Sequence, residues 1–191
     1  MALTSRFEDA LLFATQLHAK QWRKGTSIPY VAHLLAVTSI VLEHGGDEDE
    51  AIAALLHDAI EDQGGVSMRE EIRRRFGNVV VEIVDGCTDA DVYPKPPWRA
   101  RKEAYIAHLR EASAEVRLVS AADKLHNARA VLADYRVLGE SLWRRFHGGR
   151  DGTLWYYRSV VNALRDAGMS PLVEEIERVV SEIELLATGK P

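Results

Sequence analysis

The stretch Ala51-Ile52-Ala53-Ala54-Leu55-Leu56-His57-Asp58-Ala59-Ile60-Glu61-Asp62 reads as a buried helix that carries ionisable groups where apolar ones belong. Alanine and leucine favour the helix, and an apolar run this continuous belongs inside a core. Asp47 to Asp49 supply an acidic opening, the pattern carries the helix to about Asp62, and Gly64-Gly65 end it. Positions 57 and 61, like 58 and 62, are four apart and share a helix face. One imidazole and three carboxylates there, at a helix end whose dipole disfavours negative charge, are costly unless a cation offsets repulsion and desolvation. The bland alternative is a solvated helix end with a capping histidine.

Outward from this helix the helical period persists. Phe7, Ala10, Leu11, Ala14 and Leu17 form one stripe. A turn over Arg23 to Ile28 precedes a second helix, with Pro29 suited to its first position and His33, Ala36, Val37, Ile40 and Val41 along it, until His44-Gly45-Gly46 stops it. Ser67 to Phe76 reads as a further helix, closed by Gly77-Asn78. Val79 to Val84 is β-branched and the one strand candidate, but no second strand exists to pair with it, so it reads as a buried helical turn. Tyr93-Pro94-Lys95-Pro96-Pro97 is a connector that excludes regular helix. Helices are then expected over Trp98 to Ala112 and Ala114 to Tyr135, from the glycine-rich loop Gly148 to Thr153 to about Ala167, and from Pro171 to about Ala187. The expectation is all-α: a single domain over 1–191, a helical bundle of roughly nine to ten helices, with a motif-bearing core over about 5–165 and a C-terminal helix over 171–187.

The 191 residues fit one domain, and 47% hydrophobic with 28% charged residues argues for a packed globule. Lysine and arginine number 24 against 29 acids, a net charge of −5, which speaks against a nucleic acid polymer as partner but not against a nucleotide. The lone cysteine, Cys87, excludes an internal disulfide and suits a reducing compartment. Met1 to Ala10 lack the apolar core of a signal peptide, and the most apolar stretch, Ala51 to Ile60, is interrupted and too short to span a bilayer. A cytoplasmic protein with no membrane partner is expected; self-association into a homo-oligomer stays open.

Two further polar inclusions enlarge the candidate cation site. His33 lies among Val31, Leu34, Leu35 and Val37, where a satisfied core histidine is the ordinary reading. Asp123 follows Leu118-Val119-Ser120-Ala121-Ala122 and leads into Lys124-Leu125-His126-Asn127; a buried aspartate there needs a partner. Two imidazoles and two carboxylates, His33, His57, Asp58 and Asp123, make a mixed donor set that suits manganese, iron or zinc better than calcium.

The order His33, His57-Asp58, Asp123 resembles the histidine–aspartate (HD) phosphohydrolase superfamily. The surrounding words, Arg23-Lys24-Gly25 with Pro29-Tyr30 and His33, then Ala54 through Asp62, then Ala122-Asp123-Lys124-Leu125-His126-Asn127, are similar to the hydrolase domain of the RelA/SpoT alarmone enzymes, above all to the stand-alone small alarmone hydrolases, metazoan SpoT homologues among them. The resemblance implies that His33, His57, Asp58 and Asp123 hold one divalent ion, usually Mn2+, and that Glu61 and Asp62 are the catalytic pair shaping the attack of water on phosphorus. Which of those two is the base stays open. It further implies that Arg23 and Lys24 lie beside the substrate purine, where a guanidinium stacks and an ammonium attracts phosphate, and that Asn127 lies near the nucleoside. Glycine amides of the 146–153 loop could bind phosphate, with Arg150 and Tyr156 reaching the substrate; a plain loop leading into a helix is the ordinary reading. Lys95, Arg99, Arg101 and Lys102 form a basic group around the proline connector, by default a solvated face.

The activity implied is metal-dependent removal of the 3′-pyrophosphate of (p)ppGpp, giving GDP or GTP and pyrophosphate, with a small-molecule nucleotide as partner. Adenine alarmones such as pApp and the 2′-phosphate of NADPH are the alternative substrates, and a nucleotide sensor without turnover is the alternative class. A di-iron oxygenase would need further histidines, and His18, His44, His108, His126 and His147 are not placed in the expected cluster. The sequence stops at Pro191 without a nucleotidyl-transfer or regulatory region, so synthesis is not expected.

Overall fold

A computed structural model describes residues 2–90 and 94–189; Tyr93, the first residue of the expected proline connector, lies outside them. In chain order the helices are α1 (Ser5–Leu17), α2 (Val31–Glu43), α3 (Glu48–Leu56), α4 (Ala59–Gln63), α5 (Gly65–Phe76), α6 (Asn78–Cys87), α7 (Trp98–Glu111), α8 (Ala114–Leu138), a 3-10 segment (Gly139–Arg145), α9 (Gly149–Ala167) and α10 (Pro171–Thr188). Among the described residues the only extended pairing is an isolated antiparallel bridge between Trp22 and Pro29. The all-α expectation holds. No helix among the described residues is long and apolar enough to cross a membrane.

The helix ends follow from local chemistry. The Thr4 hydroxyl accepts from the Arg6 amide to open α1. Asp47 and Glu50 form a reciprocal capping box at α3, and Ser170 caps α10 with Pro171 in its first turn. Val79 to Val84 lie inside α6, whose Val80, Val81, Ile83 and Val84 are buried; packing overrides their β preference.

The continuous helix expected over Asp47 to Asp62 is broken. α3 stops at Leu56, α4 starts at Ala59, and Asp58 sits between them at φ −99°, ψ −1°, in the sparsely used bridge region. Glu61 and Asp62 therefore stand in the first turn of a new helix rather than the last turn of an old one. In a helix of five residues they lie as near its last turn as its first, so the dipole penalty expected of a long helix does not apply to them. The Asp62 amide still donates to the Asp58 carbonyl at 3.0 Å, so the four-residue spacing survives the break. Pro29 does not open α2 as expected: its bridge to Trp22 holds it in the preceding turn, and α2 begins at Val31. Of the glycine-rich loop, everything from Gly149 onward is already helix, and the 3-10 segment before it was not expected.

The chain divides into two compact units, Met1–Pro96 with Ser113–Ala122, and Pro97–Ala112 with Asp123–Pro191. In the first, α3 is the central element, packed against α1, α2 and α6; Ala51 to Leu56 are all fully buried. Leu55→Ala there would cost about 2–5 kcal/mol. Gly86 on α6 abuts Val116, where a Cβ would lie 2.5 Å from Cγ2. In the second unit α9 packs on α7 and α10, burying Val160, Val161 and Leu164 of α9 and Ile176, Val180 and Ile183 of α10. The Trp98 indole lies over Gly148 and Gly152. Arg129–Glu175 and Arg136–Glu182 ion pairs join α8 to α10; being surface pairs, they contribute about 0–1 kcal/mol each.

Candidate functional site

In the first unit His33 from α2 and His57-Asp58 from the α3–α4 break converge. One ligand atom of each lies within 4.8 Å of the others. His57 Nε2 is 3.0 Å, and His33 Nε2 3.7 Å, from Asp58 Oδ2. Both imidazoles are nearly fully buried, at 1% and 3% exposure, and their rings meet edge to face at 5.1 Å. Ligand atoms about 2.1 Å from one ion are about 3.0–3.4 Å apart, so the three donors need little adjustment to share a cation.

The chemistry of His57 fits that role. Its Nδ1 lies 2.8 Å from the Ala54 carbonyl, which can only accept, so Nδ1 carries the hydrogen. In its neutral form the ring then turns Nε2, the remaining ligand atom, toward a carboxylate oxygen 3.0 Å away. Two acceptors at that distance are stable only with positive charge between them. A backbone carbonyl that fixes the ligating tautomer is the usual outer support of a metal-bound histidine.

Around this cluster stand the two other acids. Lys95 Nζ donates to Glu61 Oε1 at 2.7 Å. Asp62 Oδ2 accepts from Gln21 Nε2 at 2.7 Å. Although Asp62 remains exposed at its surface, desolvation, then the Asp58 carboxylate, pushes its pKa above the usual aspartate range; the Gln21 hydrogen bond works in the opposite direction.

The turn before α2 carries Arg23 and Lys24. Arg23 N donates to the Ile28 carbonyl at 2.8 Å and Thr26 N to the Arg23 carbonyl at 3.0 Å, so the turn is a small hairpin closed by the Trp22–Pro29 bridge. Tyr30, just beyond it, donates its hydroxyl to Asp58 Oδ2 and packs edge-on to His33 at 5.4 Å. Sequence reasoning quoted Tyr30 but gave it no role. Its signal was the aromatic three residues before His33, which alone does not identify a partner on another helix.

In the second unit Asp123 is buried at 7% exposure, with Oδ1 held by the Asn127 amide one turn on and Oδ2 by Lys124 Nζ. Burial opposes the charge of Lys124, yet the Asp123 carboxylate beside it pushes its pKa well above the lysine range. Its Nζ also lies 4.9 Å from the Tyr105 ring centre. Lys124 is a second residue that sequence reasoning passed over. Tyr156 is buried beneath Trp98 and Lys102, and its hydroxyl has no hydrogen-bond partner among the described residues; burial pushes its phenol far above the tyrosine range. Arg150 pairs with Asp151 and Glu140. The glycines of its loop have a packing purpose: a Cβ on Gly148 would fall 2.6 Å from Trp98 Cη2. Of the basic group near the connector, Arg99 lies over the Trp155 ring and pairs with Glu103.

The structure thus joins His33, His57 and Asp58 directly, sets Glu61 and Asp62 one turn on, and holds Asp123 with Asn127 in the other unit. A family model described as HD domain matches residues 10–153. The guanosine-3′,5′-bis(diphosphate) 3′-pyrophosphohydrolase MESH1 of Xenopus tropicalis is 40% identical over 124 residues, which are 63% of this chain and 66% of that protein. The guanosine-3′,5′-bis(diphosphate) 3′-pyrophosphohydrolase of Haemophilus influenzae is 35% identical over 126 residues, 63% of this chain but 18% of the enzyme. The chain therefore spans just under two thirds of the first relative and under a fifth of the second. A solved structure of a metazoan ortholog of SpoT, described as hydrolyzing ppGpp and acting in starvation responses, superposes with a TM-score of 0.80 at 28% identity, covering 97% of this chain and 99% of that one.

Proposed function

The chain belongs to the HD domain family, and we propose that it is a metal-dependent hydrolase removing the 3′-pyrophosphate of (p)ppGpp, releasing GDP or GTP and pyrophosphate. The observation that carries the reading is the buried His33, His57 and Asp58 cluster with Glu61 and Asp62 in the first turn beyond it. The names of the similar proteins, which act on ppGpp, support the substrate class. The family model runs over residues of both compact units, which supports treating 1–191 as one HD hydrolase domain.

His33, His57 and Asp58, with Asp123 as the fourth ligand, would hold one divalent ion, with Mn2+ the favoured metal. When bound, such an ion lowers the pKa of water and polarises a phosphoryl oxygen. Asp62 accepts the proton of the attacking water: its carboxylate is oriented by Gln21 and, among the described residues, carries no ion pair to a lysine, whereas the charge of Glu61 is engaged by Lys95. Glu61 orients the water from that fixed position. The new bond joins the water oxygen to the phosphorus nearest the ribose; the bond from that phosphorus to the 3′ oxygen breaks, and the 3′ oxygen takes up a proton. Arg23 stacks on the purine and Lys24 draws the phosphates. Asn127 serves the site by holding Asp123, and Tyr156, whose hydroxyl is buried, would reach the substrate only on a shift of the Trp98 and Lys102 side chains that cover it. The protein works in the cytoplasm on a free nucleotide.

The test is turnover of ppGpp, pppGpp, pApp and NADPH by Mn2+-loaded protein, scored by product. Pyrophosphate from ppGpp supports the reading. Pyrophosphate from pApp alone moves the substrate to adenine alarmones, orthophosphate from NADPH alone makes the protein a phosphatase, and tight nucleotide binding without turnover makes it a sensor.

A further inference from the structure

Resting on the hydrolase reading above, we propose that Gln21 is a positioning residue that fixes the carboxylate of Asp62 for proton transfer. Its side-chain amide is engaged at both the oxygen and the nitrogen. Oε1 lies 2.7 Å from His18 Nδ1 and 2.7 Å from Gln63 Nε2, while Nε2 donates to Asp62 Oδ2 at 2.7 Å. The direction of the amide is forced: a flipped amide would set its NH2 against the Gln63 NH2 and its oxygen against the Asp62 carboxylate. His18 must then donate from Nδ1. It is itself buried at 2% exposure and stacked on Tyr30 at 5.2 Å, so it cannot swing away.

The network matters because α4 cannot hold Asp62 alone. The helix has five residues, and Asp62 is exposed at its surface. Without a fixed partner an aspartate there samples several rotamers. Gln21 supplies that partner from another part of the chain and ties it to the hairpin that carries Arg23 and Lys24, since the Gln21 carbonyl accepts from Tyr30 N at 2.9 Å. Tyr30 in turn grips Asp58. The two ends of one hairpin therefore hold two acids of the site, Gln21 on Asp62 and Tyr30 on Asp58.

The experiment is a double-mutant cycle in the 191-residue chain with Gln21→Met and Asp62→Ala, with melting temperature measured for each variant. Methionine keeps the length and loses both hydrogen-bonding functions. Gln21→Met is expected to lower kcat on the order of ten-fold, with KM within about two-fold, and to cost less than about two-fold more once Asp62 is gone. Equal losses in both backgrounds, or a rise in KM at unchanged kcat, overturn the proposal. Should the wild type turn over none of the four nucleotides, the hydrolase reading fails, and Gln21 is judged separately by NMR on metal-free protein. Its side-chain amide protons are expected to exchange on the order of ten-fold faster in Asp62→Ala; unchanged exchange overturns the proposed link.

Discussion

Gly148→Ala discriminates between two uses of a glycine-rich loop, packing and phosphate binding. Gly148 has φ −78° and ψ −6°, a conformation alanine adopts freely. Backbone restriction alone should therefore stabilise the variant by about 0.4–1 kcal/mol. Against this, the added Cβ would meet three atoms of the Trp98 ring at 2.6, 2.9 and 3.1 Å. These belong to a rigid plane, so the whole indole must shift, at about 1–3 kcal/mol. The net expectation is a loss of about 1–2 kcal/mol, or about 3–6 °C in Tm for a chain of this size. Gly152 is the internal control. Its Cβ would stand at 3.2 Å from the same ring, and the helix propensity gained, about 1 kcal/mol, should cancel the milder contact. Thermal and urea denaturation of Gly148→Ala, Gly152→Ala and each combined with Trp98→Leu give the answer. The Gly148 penalty should vanish in the Trp98→Leu background. A Gly148→Ala protein as stable as wild type but with a raised KM would refute the packing argument and restore the phosphate cradle.

His57→Ala is expected to weaken Mn2+ uptake by more than about a hundred-fold, measured by calorimetry, whereas Glu61→Gln should leave uptake intact and depress kcat; full turnover in Glu61→Gln would remove it from the mechanism. Lys124→Met removes the cation paired with the buried Asp123 carboxylate and should cost about 3 kcal/mol in urea unfolding, with much of the loss recovered on adding Asp123→Leu. Asp62 binds its proton more tightly folded than unfolded, so its contribution favours the fold at low pH and is lost as pH rises through the folded pKa. Turnover runs the other way: it needs the ionised form, so kcat should fall with acid on a limb lying above 3.8, the ordinary aspartate value, and Asp62→Asn should abolish that limb.

The helices were legible because their stripes, caps and glycine stops are local. Even Val79 to Val84 could be placed, since a lone strand has nothing to pair with. The break at His57-Asp58 was not legible: no glycine or proline marks it, and α3 and α4 each look helical up to the junction. The ionisable pair stood out because its groups are too polar for their surroundings, but the dipole argument attached to Glu61 and Asp62 assumed an unbroken helix and does not carry over to the five-residue α4. Gln21, Tyr30 and Lys124 were invisible for another reason. Each is an ordinary residue for its local setting, and its role rests on a partner distant in sequence or on burial that composition does not reveal: Gln21 and Asp62 are 41 positions apart, Tyr30 and Asp58 28.

The hairpin closed by Trp22 and Pro29 separates two tasks mechanically. Its stem is pinned by contacts to the acids, while the tip from residue 23 to 28 carries hydrogen bonds of its own, through Arg23, Thr26 and Ile28. Such a tip behaves as an exchangeable cassette. On the proposed role of Arg23 and Lys24, libraries randomised at its outward positions, with Gln21 and Tyr30 kept, would retune which base is read while the hydrolytic chemistry stays in register.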